Sequence, residues 1–185
     1  MVMPPSANTE EVTPRINTIA VDGDPSIAGY TTYQMVVDLP PTAATVYGIY
    51  GTDEAVATIP GGYQTPAPFG ANTGGVNPQF FAFMPLSQYD SWLTVGLTSG
   101  DPSGSLSTVG IDFASWQPGS TLRITDGAVF YMDPSSVVPA SSYVIAQITV
   151  PRNGPAWTMK ISLQGDSADP TQPDWHEEGV RFVSS

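Results

Sequence analysis

The chain has no cysteine, which excludes disulfide staples, zinc–thiolate sites and cysteine nucleophiles. Positive charge is nearly as scarce. Five Lys and Arg residues stand against 17 Asp and Glu, giving a net charge of −12. Those five, Arg15, Arg123, Arg152, Lys160 and Arg181, are scattered singly. Such a surface repels phosphate, so it argues against nucleic acid and against anionic membranes as partners. His176 is the single histidine, and its neighbours His176-Glu177-Glu178 lack the second histidine of an H-E-x-x-H zinc motif. No run reaches the ~18 apolar residues that a membrane-spanning helix needs. No window combines 3.6-residue periodicity with helix caps. None of Asn8, Asn17, Asn72, Asn77 and Asn153 begins an N-x-[ST] glycosylation acceptor.

What remains is a chain of 185 residues with 41% apolar content, enough for one domain with a buried core. Only 12% of residues are charged, about half of the usual ~25%. Eighteen Gly and 19 Pro lie between apolar runs rather than in one block, which is turn punctuation and not a disordered tract. The opening MVMPPSANTEEV is neither basic nor apolar enough for a secretory leader. Residues 1–15 read as a flexible lead-in and 16–185 as a single domain.

Period-2 alternation dominates that domain. Tyr33, Met35, Val37 and Leu39 share one face of 31–39. Short runs follow at 46–50 and 55–59. FFAFM at 80–84 is continuous, as in a strand buried on both sides. Leu93, Val95 and Leu97 oppose Trp92 within 91–97, and Val109, Ile111 and Phe113 align within 107–113. Further strands are predicted at 122–124, 128–132, 143–150, 157–163 and 179–183. In 157–163, Trp157, Met159, Ile161 and Leu163 alternate with Thr158, Lys160 and Ser162. About ten short strands at this spacing predict an all-β, two-sheet antiparallel sandwich of jelly-roll type. The segment 59–79 carries four Pro and five Gly and reads as a long ordered loop, since proline lacks the ladder N–H.

The sequence Thr94-Val95-Gly96-Leu97 recurs as Thr108-Val109-Gly110-Ile111. Joined by TSGDPSGSLS, the two copies predict a β-hairpin whose Asp, Ser, Pro and Gly turn the chain. Gly165-Asp166-Ser167 is similar to the GDS block of lipase-like esterases, with His176 nearby. That block normally opens an α/β chain, and the spacing Asp174-x-His176 is one residue short of Asp-x-x-His. No G-x-S-x-G elbow is present. Seventeen acids always permit a glycosidase-like pair, so that chemistry finds no discriminating signal.

Acidic loops at Asp22-Gly23-Asp24, Thr52-Asp53-Glu54 and Asp101 have the oxygen chemistry of calcium sites, though none follows the EF-hand register. Asp166, Asp169 and Asp174 are the best candidate ligands for a calcium ion. Four Trp, eight Tyr and seven Phe allow glycan stacking, with Trp92, Trp116 and Trp175 as candidates for outward or end-capping positions. Sparse charge within the strands and a single lysine favour self-association through sheet edges and loop-borne aromatics. The expectation is a non-enzymatic structural β-domain, a homo-oligomer or an assembly of sibling subunits, in an extracellular layer, filament or coat. The alternative is a carbohydrate-binding module, calcium-dependent or not. Asn72, Asn77, Asp90, Trp92 and Asp101, which flank the long loop and the predicted hairpin, are the candidate interaction surface.

The stretches APFGANTGGVNPQFFAF, YDSWLTVG, STVGIDFASW, GAVFYMDP and VIAQITVP resemble, in order over about residues 30–183, a β-rich domain recurring in multi-copy proteins of marine algae and other plankton. The resemblance implies an extracellular or shell-like structural role and brings no catalytic residues. A viral coat subunit would share the architecture, but the basic nucleic-acid arm is missing.

Overall fold

A computed structural model describes residues 11–184. Within them lie eleven strands and five short 3-10 turns, and no α-helix is among the described residues. Among the described residues, no helix is long and apolar enough to cross a membrane. The strands are β1 (Thr13–Val21), β2 (Tyr30–Asp38), β3 (Gly48–Gly51), β4 (Ala57–Ile59), β5 (Trp92–Leu93), β6 (Leu106–Val109), β7 (Leu122–Ile124), β8 (Gly127–Tyr131), β9 (Ser142–Pro151), β10 (Thr158–Gly165) and β11 (Trp175–Val183).

They form two antiparallel sheets, as the alternation predicts. One has the order β1-β2-β9-β5. The other has seven strands, with β6, β8, β3, β10, β4 and β7 in line and β11 on the free side of β10. The same side of β10 pairs with β3 through Ser162–Gln164 and with β4 at Lys160. Strands β3 and β4 therefore run end to end, as do their partners β8 and β7. The break between β3 and β4 is a turn in which Thr52 N–H donates to the Ala55 carbonyl at 3.2 Å and Ala55 N–H to Thr52 Oγ1 at 2.9 Å. Gly51 is required there, because a Cβ would collide with the Ile124 carbonyl.

The chain crosses between sheets at β2–β3, β4–β5, β5–β6, β8–β9 and β9–β10, the interleaving of a jelly roll. Met35 and Val37 of β2, with Ala146 and Ile148 of β9, meet Ile49, Ile59, Ile124, Val129, Met159, Ile161, Leu163 and Phe182 of the facing sheet in one core. The β10 alternation holds for Met159, Ile161 and Leu163, all fully buried, but Ser162 is buried too. Trp157, expected inward, is half-buried beside the sandwich end, edge-on to Tyr33 at 5.6 Å.

The segment 60–91 adds a third layer over the outer face of the four-stranded sheet. Tyr63 N–H donates to the Thr149 carbonyl at 2.8 Å, which ties the segment to the β5 edge of β9. Gln147 Nε2 donates to the carbonyls of Gln88 at 3.1 Å and Asp90 at 2.8 Å. Strand β9 is thus covered on both faces: Ile145, Ala146 and Ile148 are fully buried, and so are Gln147 and Thr149. Their polar atoms are matched across the strands, Thr32 to Thr149 at 2.7 Å and Gln34 to Gln147 at 3.1 Å.

Four expectations need correction. FFAFM is no strand: Pro78–Ala82 is a 3-10 turn in the covering layer, started by Pro78 and capped by Asn77, and Phe83 is exposed. The predicted hairpin is absent, because β5 pairs with β9 and β6 with β8, in different sheets. TSGDPSGSLS is a crossover between sheets, and 107–113 stops being a strand at Val109 because Gly110 takes φ +66°. Residues 13–15 belong to β1, which alternation missed, because β1 is an edge strand with exposed Thr18, Ile19 and Val21. The rest of the expected lead-in, residues 1–10, lies outside the described residues.

Candidate functional site

All five candidate surface residues gather around one segment, Gly70–Asn77. Asn72 accepts Leu93 N–H through its carbonyl at 3.0 Å, and Thr73 bridges Leu93. Gly100 N–H donates to the Gly74 carbonyl at 3.0 Å, next to Asn77 and Asp101. Two of the five are not surface residues. Asp90 is fully buried and Trp92 is 2% exposed. Trp92 sits opposite Gln147, on the face that the covering layer closes. Trp116 is also buried, its Nε1 donating to the Pro60 carbonyl at 2.8 Å. Trp175 does hold an end, donating Nε1–H to the Thr45 carbonyl at 3.0 Å.

Asp90 is the fastener of the covering layer. Its Oδ1 accepts Thr65 N–H and its Oδ2 accepts Ala71 N–H, each at 2.7 Å. One carboxylate thus ties both ends of 65–71. Burial pushes Asp90 up to about 6, against the pull of those N–H donors toward the ionised form.

Two clefts open on either side of this fastened loop. One, of about 340 Å³, is lined by Asn77, Phe80 and Asp101 among others. Its polar side chains hold the backbone: Asn77 Oδ1 caps Gln79 N–H at 3.0 Å. The two oxygens of Asp101 accept Ser105 and Leu106 N–H at 2.8 Å. Asp101 therefore turns the chain, as its setting between Gly100 and Pro102 predicts. The second cleft, of about 470 Å³, is lined by Gln64, Thr65, Pro66, Asn72, Phe113, Ala114 and Gln117. Two polar atoms here, Gln64 Nε2 and Thr65 Oγ1, are buried without a hydrogen-bond partner, and no other side-chain N or O among the described residues shares that state. Sequence reasoning named only Asn72 of this set. Phe113 was placed in a strand, and nothing in a Pro-rich run marks Gln64-Thr65 as half of a cleft.

A third depression, of about 240 Å³, lies on the outer face of the seven-stranded sheet. Gly48 is part of its lining together with Tyr47, Tyr50, Phe130, Tyr131 and Gln164. Tyr47 donates its hydroxyl to Asp174 at 2.7 Å, and burial with that neighbouring carboxylate lifts it to about 12.

The candidate calcium ligands do not converge. Asp166 accepts the Thr45 hydroxyl at 2.7 Å, Asp169 accepts Thr171 N–H at 2.9 Å and its hydroxyl at 2.7 Å, and Asp174 accepts Tyr47. No three His, Asp or Glu side chains stand together as a cation cage among the described residues. Ser167 donates its hydroxyl to the Pro173 carbonyl, while His176 is exposed on β11 opposite Gln164. The esterase-like pair is therefore not assembled as a nucleophile and its base. No family model matches the chain, and neither a curated protein nor a solved structure matches it.

Proposed function

We propose that the protein is a non-enzymatic structural β-domain that associates with copies or siblings of itself in an extracellular or shell-like assembly. The observation that carries this is the aromatic knuckle of the covering layer. Phe83 is 77% exposed and Phe80 36% exposed, with Phe69 edge-on to Phe80 at 5.7 Å. No charged residue lies between Asn77 and Leu86. A protruding, uncharged aromatic group gains most from burial against a neighbour.

Two of the sheet edges, β1 and β11, are guarded against addition of strand to strand. Strand β1 is irregular at Ile19, and its Arg15 is paired through Nη2 with Asp38 at 2.8 Å. Strand β11 is irregular opposite Ser162, near Gly179 at φ +71°, and carries Glu177, Glu178 and Arg181. Bulges and charges of this kind block edge pairing. The net charge of −12 opposes close packing of copies, so salt or divalent cations favour assembly by screening it. Sedimentation velocity with added sodium chloride, with calcium chloride and with EDTA tests the reading. Oligomers that grow with ionic strength and are lost in Phe83→Ser support it; a strict monomer in every condition overturns it.

Glycan binding is the second reading. Its support is specific: Gln64 and Thr65, which line one cleft, each hold a buried polar atom without a hydrogen-bond partner.

A further inference from the structure

Buried polar atoms are almost always hydrogen-bonded, and an orphan lowers stability by about 1–3 kcal/mol. This fold satisfies even the crowded polar row beneath its covering layer. Thr32, Gln34, Gln147 and Thr149 all find partners. The two exceptions among the described residues are sequence neighbours, Gln64 Nε2 and Thr65 Oγ1, and both residues line the same cleft. Thr65 is 7% exposed. Its backbone N–H is locked to Asp90 at 2.7 Å, so the residue is held in place, while its hydroxyl lies near the Asp90 carboxylate and favours the ionised form of that group without meeting hydrogen-bond geometry. A site of about 470 Å³ falls in the size range of small-molecule pockets, roughly 300–1,000 Å³.

The lining defines the ligand chemistry. Gln64, Asn72 and Gln117 offer carboxamides, Thr65 a hydroxyl and Phe113 an aromatic ring; none of the lining residues is charged. Amides and hydroxyls both donate and accept, which suits groups that do the same. An aromatic face suits a C–H-rich ring. Without a cation in the cleft, and with a net charge of −12 around it, carboxylated or sulfated ligands are repelled.

Resting on the glycan-binding reading, we propose that this cleft is a subsite for one ring of a neutral saccharide. Both atoms are enclosed in the free chain, so binding turns the Gln64 amide and the Thr65 hydroxyl toward the ring to bond its hydroxyls, while Asn72 and Gln117 read further hydroxyls and Phe113 stacks on it. Asp90 acts as a positioning residue, fixing the loop that presents Thr65 and Asn72.

The test is titration of the full chain with maltotriose, cellotriose and a galacturonate trimer. It is followed by NMR of the side-chain amides of Gln64, Asn72 and Gln117 and of the aromatic protons. The expected result is a saturable shift of these amides with at least one neutral trimer and none with the uronate. In Thr65→Val, which keeps shape and removes only the unpartnered hydroxyl, affinity drops about tenfold, the loss of one hydrogen bond. Removing a buried orphan should leave that variant at least as stable as the parent in denaturation, which shows that folding is not the cause. Shifts confined to the Tyr47, Tyr50 and Phe130 depression, or an unaltered Thr65→Val, would overturn the cleft assignment while leaving glycan binding in place. The absence of shifts from all three trimers would overturn the glycan reading and the cleft together.

Discussion

The two sheets differ in what lies on their outer faces. The seven-stranded sheet has one neighbour, the core, and its outer face carries half-exposed Lys160, Gln164 and Tyr50. The four-stranded sheet lies between the core and the layer of 60–91, and its central strand β9 has no exposed residue from Tyr143 to Val150. Period-2 alternation survives in β10 apart from Ser162, and vanishes in β9. A strand's pattern thus reports how many layers touch it, and polar residues such as Gln147 and Thr149 are not evidence of solvent when loop carbonyls stand above them.

The sharpest break in this comparison is expected at Trp92, which is 2% exposed beneath the covering layer. Trp92→Ala should lower stability by about 3–5 kcal/mol in urea denaturation. Lys160→Ala on the open face should change it by no more than about 0.5 kcal/mol. Similar losses at both positions would mean that the layer does not close the face.

Next comes Asp90. Its value in the fold, about 6, lies above the unfolded 3.8, so the native state holds the proton more tightly. The stabilising protonated form is fully present below about pH 4 and is lost as pH rises through about 6. The difference amounts to about 3 kcal/mol. Asp38 and Asp169 are lowered by Arg15 and Thr171 and act in the opposite sense, but both are exposed and their effect is small. Denaturation between about pH 4 and 7.5 should therefore show stability falling with pH, and Asp90→Asn should flatten that slope. A slope unchanged by the substitution would remove Asp90 as its source.

A smaller effect is expected at Gln147→Leu, which strips a partner from the Asp90 and Gln88 carbonyls and from Gln34. A cost of about 1–3 kcal/mol follows. Gln164→Leu on the open face should stay within about 0.5 kcal/mol. Smallest is Phe83→Ser, at 77% exposure. Stability should move by less than about 0.5 kcal/mol, while the sedimentation profile changes.

Several strands were legible because their alternation faces a single core: β7, β8, β10 and the end of β11 fall close to their predicted positions, and β2 and β9 do so as apolar runs although a second layer covers them. FFAFM failed for a physical reason. A continuous apolar run signals contact on several sides, yet no residue of Pro78–Ala82 is buried and Phe83 is 77% exposed, so here the run marks apolar surface and not a doubly buried strand. The repeated Thr-Val-Gly failed differently, since local similarity says nothing about which sheet each copy joins. Asp101 was read correctly as a turn former, because Asp–backbone bonding is local. Asp90 was not, because its burial depends on Thr65 and Ala71, residues distant in sequence. The clustering of Asn72, Asn77 and Asp101 was partly visible. The cleft partners Phe113 and Gln117 were not, for the same reason of distance.

The wrapping of the chain also sets the order of events during synthesis. Thr32 bonds Thr149 across 117 positions, so the β9 side of β2, unlike its β1 side, stays unpaired until β9 has been made. Pairings this remote form slowly, and the acidic nascent chain, kept apart from its neighbours by its own repulsion, is protected during that interval.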